Sequence, residues 1–143
     1  MKLYVLDTDV AGFVQNKHPP VMRHFASLAQ DDTVVTTIVT VVEGISGWLP
    51  ACFRAKNGAA RKQALSRWQQ TIEFYEEFLW LPFDNAAARI FDELKAQKIR
   101  VGTNDLSIAS ITLAVGGILI TRNAVDFQRV PNLLFEDWTI SGK

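Results

Sequence analysis

Short apolar segments alternate with helical patterns along this chain, and this alternation constrains its fold more than any other feature. The segments are rich in β-branched and aromatic residues and are bounded by polar residues, proline or glycine, which is typical of buried strands. Parallel strands need crossover connections, so this order predicts a three-layer α/β/α domain around a central, mostly parallel sheet. The predicted strands are residues 2–6, 33–38, 79–82, 118–121 and 133–135.

Recognisable start signals mark the predicted helices in the first part of the chain. Asp9 is predicted to cap a short helix through Asn16, and a second helix fits residues 21–29. Thr40 and Glu43 have the spacing of a capping box, which predicts a helix that opens soon after the second strand. Each of the first two strands is therefore expected to lead into a helix.

The second part of the chain contains longer helical patterns. Those on either side of the Asn-Gly pair at 57–58 predict a helical hairpin inserted between the second and third strands. Asp84 is predicted to cap a helix over residues 85–97, and an apolar helix is expected over residues 106–115. The predicted apolar face of the hairpin consists of Leu65, Trp68, Ile72, Tyr75 and Leu79.

The composition is that of an ordinary globular protein. A length of 143 residues fits a single domain spanning residues 1–143, with 48% apolar and 21% charged residues. No apolar stretch reaches the roughly 18 residues of a membrane span, and the first residues lack a signal-peptide core. Cys52 is the single cysteine, so it forms neither an internal disulfide nor a cysteine zinc site. We therefore expect a cytoplasmic protein with no membrane contact.

Four acids occupy positions next to the predicted strands. Asp7 follows the first strand, Glu43 opens the helix after the second, Asp105 opens the helix before the fourth, and Asp126 lies just after the fourth. In a parallel sheet these positions share one edge, where ligands commonly bind. Clustered carboxylates favour Mg²⁺ or Mn²⁺, which can lower the pKa of an attacking water and stabilise a leaving oxygen. The pattern therefore predicts phosphodiester hydrolysis.

Each acid except one also has a simpler explanation. Glu43 in a capping box and Asp105 at the start of a helix both fit helix-end electrostatics. Asp126 is close in sequence to Arg122 and Arg129 and would serve equally well in a surface ion pair. Asp7 is harder to explain, because an acid directly after a buried strand is costly unless it is paired or metal-bound.

Four sequence blocks carry a family resemblance. VLDTD, TVVEG, VGTNDLSIAS and TRNAVDFQRVPNLLFEDW, in this order, resemble the four blocks of PIN-domain ribonucleases of the VapC type, the toxins of type II toxin–antitoxin pairs. The resemblance spans nearly the whole chain. It implies an α/β fold with a parallel sheet, dependence on Mg²⁺ or Mn²⁺, endonucleolytic cleavage of RNA, a cognate VapB-like antitoxin, and a homodimer or a hetero-oligomer with the antitoxin.

The same resemblance implies roles for individual residues. Asp7, Glu43 and Asp105 match the three central acids and would hold the metal, while Asp126 matches the more variable fourth catalytic acid. Asn123 matches a position occupied by Asp or Asn, so the choice between Asn123 and Asp126 stays open. Supporting roles are implied for Thr8, Asp9 and Asn123.

Basic and aromatic residues indicate possible contacts with RNA or protein. The formal net charge is zero, so RNA binding has to come from local patches, and Lys98, Arg100 and Arg122 are the predicted contacts. The hairpin is also basic, although an ordinary solvated face explains it slightly better. Its basic residues are Arg54, Lys56, Arg61, Lys62 and Arg67. The aromatic residues of the helices fit a core, an antitoxin groove or a homodimer interface better than base stacking.

Two alternatives from other functional classes remain open. Asp7-Thr8-Asp9 imitates the DxD signature of haloacid-dehalogenase-type phosphatases, but Ala11 stands where that motif has Thr or Val, and no lysine block follows. A catalytically inactive PIN-like adaptor that binds RNA or protein is the other alternative. The presence of all the principal acids argues against it.

Overall fold

A parallel sheet forms the centre of the protein. The structure is a computed structural model, and it describes residues 1–140. Within that range the strands are β1 Leu3–Leu6, β2 Thr33–Thr37, β3 Trp80–Leu81, β4 Ile118–Ile120 and β5 Leu134–Glu136. Their order across the sheet is β3-β2-β1-β4-β5, and every neighbouring pair is parallel. The predicted sheet is confirmed, with strand ends that differ by no more than one residue.

Helices connect these strands. In the described part of the chain they are α1 Thr8–Gln15, α2 Pro19–Ala26, α3 Ile38–Ser46, α4 Leu49–Arg54, α5 Gly58–Glu76, α6 Asn85–Ala96, α7 Thr103–Val115 and α8 Ala124–Phe127. α4 and α5 pack against each other and form the predicted helical hairpin between β2 and β3. Asp84 caps α6 as predicted, because its carboxylate accepts the Ala87 amide at 3.0 Å.

Alternating side chains on β1 divide the core into two layers, as the pleat of a strand requires. Val5 packs in a cluster with residues of α6 and α7, including Leu94 and Ile108. Tyr4 and Leu6 point to the other face and pack with residues of α1, α2, α3 and α5. The predicted three-layer α/β/α architecture is therefore confirmed.

Two predicted helix starts are wrong. α1 is capped by Asp7, whose backbone is extended and whose carboxylate accepts the Val10 amide, whereas Asp9 already lies in the first turn. α3 begins at Ile38 and is capped by Thr37, whose hydroxyl accepts the Thr40 amide at 3.1 Å. Glu43 therefore lies inside α3, and a capping box does not explain its presence.

Other helix boundaries and faces also differ from prediction. α2 begins earlier, because Pro19 suits the first position of a helix, and it ends at Ala26. α7 begins at Thr103, so Asp105 lies in its first turn. The buried residues of α5 are Ala64, Thr71 and Tyr75, whereas Leu65 and Leu79 of the predicted face are 41% and 66% exposed. The predicted face is thus correct at Tyr75, which is buried, and partly correct at Trp68 and Ile72, which are half-buried, while the pattern missed Ala64 and Thr71 because they are small or polar.

The helices are too short or too polar to cross a membrane. Within residues 1–140, no helix combines the length and hydropathy that a span requires.

Candidate active site

The carboxyl edge of the sheet carries the four predicted acids. Asp7 follows β1 directly, Glu43 lies in α3 beyond β2, and Asp126 lies in α8 beyond β4. Asp105 reaches the same edge from the first turn of α7. The charge of Asp105 contributes to the raised pKa of Asp7, and the charges of Glu43 and Asp126 contribute to the raised pKa of Asp105, so the four acids lie in one electrostatic neighbourhood.

Asp7 is the most buried of these acids, with only 5% of its surface exposed. Its carboxylate accepts the Val10 amide at 2.9 Å. Burial raises the pKa of Asp7 from 3.8 to about 6, and the charges of Asp9 and Asp105 add to this increase. Hydrogen bonds from Thr121 and from the Val10 amide oppose it. Asp7 is thus held in an environment that disfavours its negative charge unless a cation is present.

Glu43 is held by side chains from two other helices. The Thr8 hydroxyl of α1 donates to Glu43 Oε1, and the Asn104 amide of α7 donates to Glu43 Oε2 at 2.9 Å. The Thr8 hydroxyl also lies 3.3 Å from the Thr40 hydroxyl of α3. These contacts connect α1, α3 and α7 at the acidic edge.

Asp105 faces the other acids. Its pKa is raised first by partial burial and then by the negative charges of Glu43, Asp126 and Asp9. Like charges at this range disfavour ionisation of all members together. The pKa of Asp105 is therefore raised by charges from three other helices, α1, α3 and α8.

Asp126 and Asn123 form one local unit. The Asn123 side chain caps α8 and donates to Asp126 Oδ2 at 2.9 Å. Arg129 contacts Asp126 Oδ1 at 3.0 Å and donates to the Arg100 carbonyl oxygen at 2.9 Å. The surface ion pair considered for Asp126 is present, and its exposure means that it adds little to stability.

The side chains of the four acids provide the kind of ligand atom that a divalent cation prefers. All the clustered side chains offer carboxylate oxygen, which Mg²⁺ and Mn²⁺ prefer. Within residues 1–140, however, no three acidic, histidine or cysteine side chains are arranged as a ready metal site. One oxygen of Asp7 accepts the Val10 amide, and the two oxygens of Glu43 accept from Thr8 and Asn104. Each of these oxygens keeps a further lone pair, so these bonds are compatible with a role as metal ligand.

The remaining predicted residues surround this cluster. Asp9 is exposed in the first turn of α1, and its charge raises the pKa of Asp7 and of Asp105. Lys98 and Arg100 are exposed between α6 and α7. The Arg122 guanidinium lies 5.4 Å from the centre of the Phe13 ring. RNA contacts by these three basic residues stay predictions.

Sequence reasoning missed four residues that shape the site. Asn104 holds Glu43, Thr121 holds Asp7, and Thr40 contacts Thr8. Tyr75 of α5 is buried, and burial together with the charge of Glu43 raises its pKa to about 12. Asn104 had a usable signal, since it adjoins Asp105. Tyr75 was assigned only to an apolar face, because nothing local connects it with Glu43.

Comparison with known proteins assigns these features to a family. The model of the PIN domain matches residues 4–133. The chain is similar to ribonuclease VapC2 of Rickettsia felis, with 28% identity over 95% of this chain and 98% of the relative. It is also similar to the tRNA(fMet)-specific endonuclease VapC of Shigella flexneri, with 30% identity over 97% of this chain and 100% of the relative.

Solved structures show the same relationship. The chain resembles VapBC-1 from nontypeable Haemophilus influenzae with a TM-score of 0.72 and 26% identity, covering 96% of this chain and 99% of that one. It resembles DNA-bound VapBC from Salmonella typhimurium with a TM-score of 0.74 and 25% identity, again covering 96% and 99%. With its fold and the positions of its acids, the chain belongs to the PIN domain family and, within it, to the VapC proteins.

Proposed function

We propose that this protein is a metal-dependent endoribonuclease and the toxin of a VapBC-type toxin–antitoxin pair. The observation that carries the proposal is the grouping of Asp7, Glu43 and Asp105 at the carboxyl edge of a PIN-domain sheet, where burial first and neighbouring negative charges second raise the pKa of Asp7 and of Asp105. The names of the relatives, ribonucleases and a tRNA endonuclease, support this reaction.

Asp7, Glu43 and Asp105 would hold Mg²⁺ or Mn²⁺. When bound, the cation would supply the Lewis-acid chemistry that phosphodiester hydrolysis needs and would relieve the carboxylate repulsion. The surrounding residues limit the motion of these acids. Thr8 and Asn104 hold the two oxygens of Glu43, and the Val10 amide holds Asp7. Such second contacts orient ligand side chains and commonly affect activity 10–100-fold, about as much as many direct contacts.

Asp126 and Asn123 would orient the attacking water. Asn123 contacts one carboxylate oxygen of Asp126 and Arg129 contacts the other, so the carboxylate is held at the edge that it shares with Asp105. The charge of Asp126 contributes to the raised pKa of Asp105, so the two groups lie within electrostatic range of each other.

A VapB-like antitoxin is the proposed protein partner. The structural relatives are described as VapBC complexes, including one bound to DNA. Phe53 on α4 is 78% exposed, which gives the hairpin an apolar contact for a partner helix or for a second copy in a homodimer. We place the activity in the cytoplasm. Neither the family nor the relatives favour the phosphatase alternative or an inactive adaptor.

Cleavage of total cellular RNA by the purified, antitoxin-free protein tests the activity. Wild type and Asp7→Asn are compared with Mg²⁺, Mn²⁺ or EDTA, and Asp84→Asn serves as the control because Asp84 is an exposed N-cap on α6. We expect metal-dependent fragments from wild type and Asp84→Asn and none from Asp7→Asn. RNA that stays intact with wild type in both metals would favour the adaptor, and full activity of Asp7→Asn would refute the assigned site.

A further inference from the structure

A polar groove separates α1 from α5 on the side of the protein that carries the acids. Its volume is about 750 Å³, within the usual range of ligand sites. One side is lined by Gln15 of α1 and by Asn16 just beyond it, and the other by Gln63 and Gln70 of α5. The Gln15 amide donates to the Thr71 hydroxyl of α5 at 3.2 Å, and its carboxamide oxygen is left as an acceptor. Helices that pack only for stability bring apolar faces together. Here, carboxamide side chains line an open space instead.

The groove leads directly to the candidate active site. Thr8 is one of its lining residues, and the hydroxyl of Thr8 donates to Glu43. Gly44, next to Glu43 in the chain, and Tyr75 also line the groove, and burial together with the charge of Glu43 raises the pKa of Tyr75. A polymer that places a phosphate at the acids would therefore find the groove next to it.

The charge of the groove is positive. Lys62 and Arg67 line it, and neither makes a salt bridge within residues 1–140. The lining contains no Asp or Glu in the described part of the chain. The Arg67 guanidinium lies 5.3 Å from the centre of the Trp48 ring, and this cation–π contact limits its motion. The groove thus opposes the negative charge of the acidic edge.

Gly12 leaves the side of α1 that faces the groove without a side chain. It lies in the middle of α1 and lines the groove, and a Cβ added there would meet no atom within 4 Å. A glycine inside a helix is less stable than alanine by roughly 0.5–1 kcal/mol. Packing therefore does not require this glycine, and its effect is to leave space.

We propose that this groove binds the RNA strand beside the scissile phosphodiester. Lys62 and Arg67 contact phosphates, and the carboxamides of Gln15, Gln63 and Gln70 form hydrogen bonds with base edges. Carboxamides offer both donors and acceptors, and single-stranded RNA exposes the base edges that match them. Positive charge with amides favours RNA over a protein partner, whose interface core is typically depleted of charge. The inference rests on the proposed ribonuclease function and adds the site of substrate recognition.

Binding of a short, fluorescein-labelled single-stranded RNA of mixed sequence, measured in EDTA, tests the groove without cleavage. The double variant Lys62→Gln/Arg67→Gln is expected to bind about tenfold more weakly near physiological salt, because each phosphate contact contributes a salt-dependent slope of about 0.7. The slope of the logarithm of the binding constant against the logarithm of the salt concentration should be shallower by roughly 1.4 in the double variant, because two phosphate contacts are lost. Lys95→Gln, an exposed change on α6, should leave both quantities unchanged.

A second pair of variants tests the space beside Gly12. Gly12→Glu and Gly12→Lys add side chains of similar length but opposite charge, and unchanged melting temperatures would show that both fold. We expect RNA to bind Gly12→Glu about tenfold more weakly than Gly12→Lys, since the two differ by two charges. A fold defect would affect both variants alike.

The outcomes show separately whether the proposed RNA-binding groove or the proposed nuclease activity is wrong. If wild type cleaves and binds RNA while the double variant keeps the wild-type Kd and salt slope, the groove assignment is wrong. It is also wrong if wild type binds no RNA, or if the double variant loses only its co-purification with a co-expressed VapB-like antitoxin. Failure of wild type to cleave, with groove-dependent RNA binding intact, would instead contradict the proposed nuclease.

Discussion

α7 and α5 both border the acidic edge, but one is buried and the other is largely exposed. α7 buries Leu106, Ile108, Ala109, Ser110, Ile111 and Thr112. Its polar residues are satisfied inside the helix, since the Ser110 hydroxyl donates to the Leu106 carbonyl oxygen at 2.7 Å. Over 19 residues, α5 buries only Ala64, Thr71 and Tyr75.

The difference in burial indicates different roles for α7 and α5. Packing on nearly every side holds α7, so Asp105 in its first turn has a fixed position relative to the sheet. α5 leaves most of its side chains free of the core, and those that line the groove are available to a ligand. Substitutions in α7 should therefore affect the free energy of unfolding, whereas substitutions on the open side of α5 should affect binding.

The largest expected effect tests this division directly. Ile108→Ala removes a fully buried side chain and should lower the free energy of unfolding by about 2–5 kcal/mol. Leu65→Ala on α5 should change it by no more than about 0.5 kcal/mol, because Leu65 is 41% exposed. Urea denaturation of both variants measures the difference. Similar losses at the two positions would contradict the contrast between α7 and α5.

Removal of the acid on α7 should affect function more than folding. Asp105→Asn is expected to lower RNA cleavage by about a hundredfold or more, since residues that only orient a metal ligand already contribute roughly 10–100-fold. Added Mg²⁺ should raise the melting temperature of wild type but not that of Asp105→Asn. Asp92→Asn, an exposed change on α6, is the matched control. An Mg²⁺ response retained by Asp105→Asn would remove Asp105 from the proposed metal ligands.

The negative charge of buried Asp7 should lower the free energy of unfolding when no cation is bound. Its pKa is 3.8 ordinarily and about 6 in the folded protein, so between these values the folded state binds more protons than the unfolded chain. The contribution of Asp7 to the free energy of unfolding therefore falls as pH rises through this range and is fully unfavourable above it.

The substitution Asp7→Asn removes this charge and keeps an N-cap acceptor, since Asn and Asp cap helices about equally well. In metal-free buffer at pH 7 it should raise the free energy of unfolding by on the order of 2 kcal/mol. The gain should vanish below about pH 4, where Asp7 is protonated in both states. Denaturation across this pH range measures it, with Asp84→Asn as the exposed-cap control. A gain that did not change with pH would argue against the raised pKa.

The smallest effect is expected at Gly12, and Gly44, which also lines the groove, provides the contrast. Gly12→Ala should raise the free energy of unfolding by about 0.5–1 kcal/mol, because the added methyl group meets open space in a helix. Gly44→Ala should lower it by about 1–3 kcal/mol, because the methyl group would collide with the Tyr75 ring. Thermal unfolding compares the two. Opposite signs would confirm that α1 is open toward α5 while α3 is closed against it.

Much of the fold could be predicted because local signals and hydrophobic periodicity agreed. β1 and β4 are short runs of mostly buried apolar residues, β2 is a run of β-branched residues, and Asp84 caps α6 through a local hydrogen bond. The wrong helix starts occur where several neighbouring polar residues could each cap the helix. Asp7 rather than Asp9 caps α1, and Thr37 rather than Thr40 caps α3, because backbone geometry decides between adjacent candidates.

The sequence by itself determined the alternation of strands and helices and the placement of acids next to strand ends, since both depend on residues close together in the chain. Only the tertiary structure decided that Asn104 and Thr8 hold Glu43, that Tyr75 closes against Gly44, and that a groove with Lys62 and Arg67 opens beside the acids. These contacts join residues that are far apart in the chain, and burial and side-chain packing, which no local pattern records, bring them together.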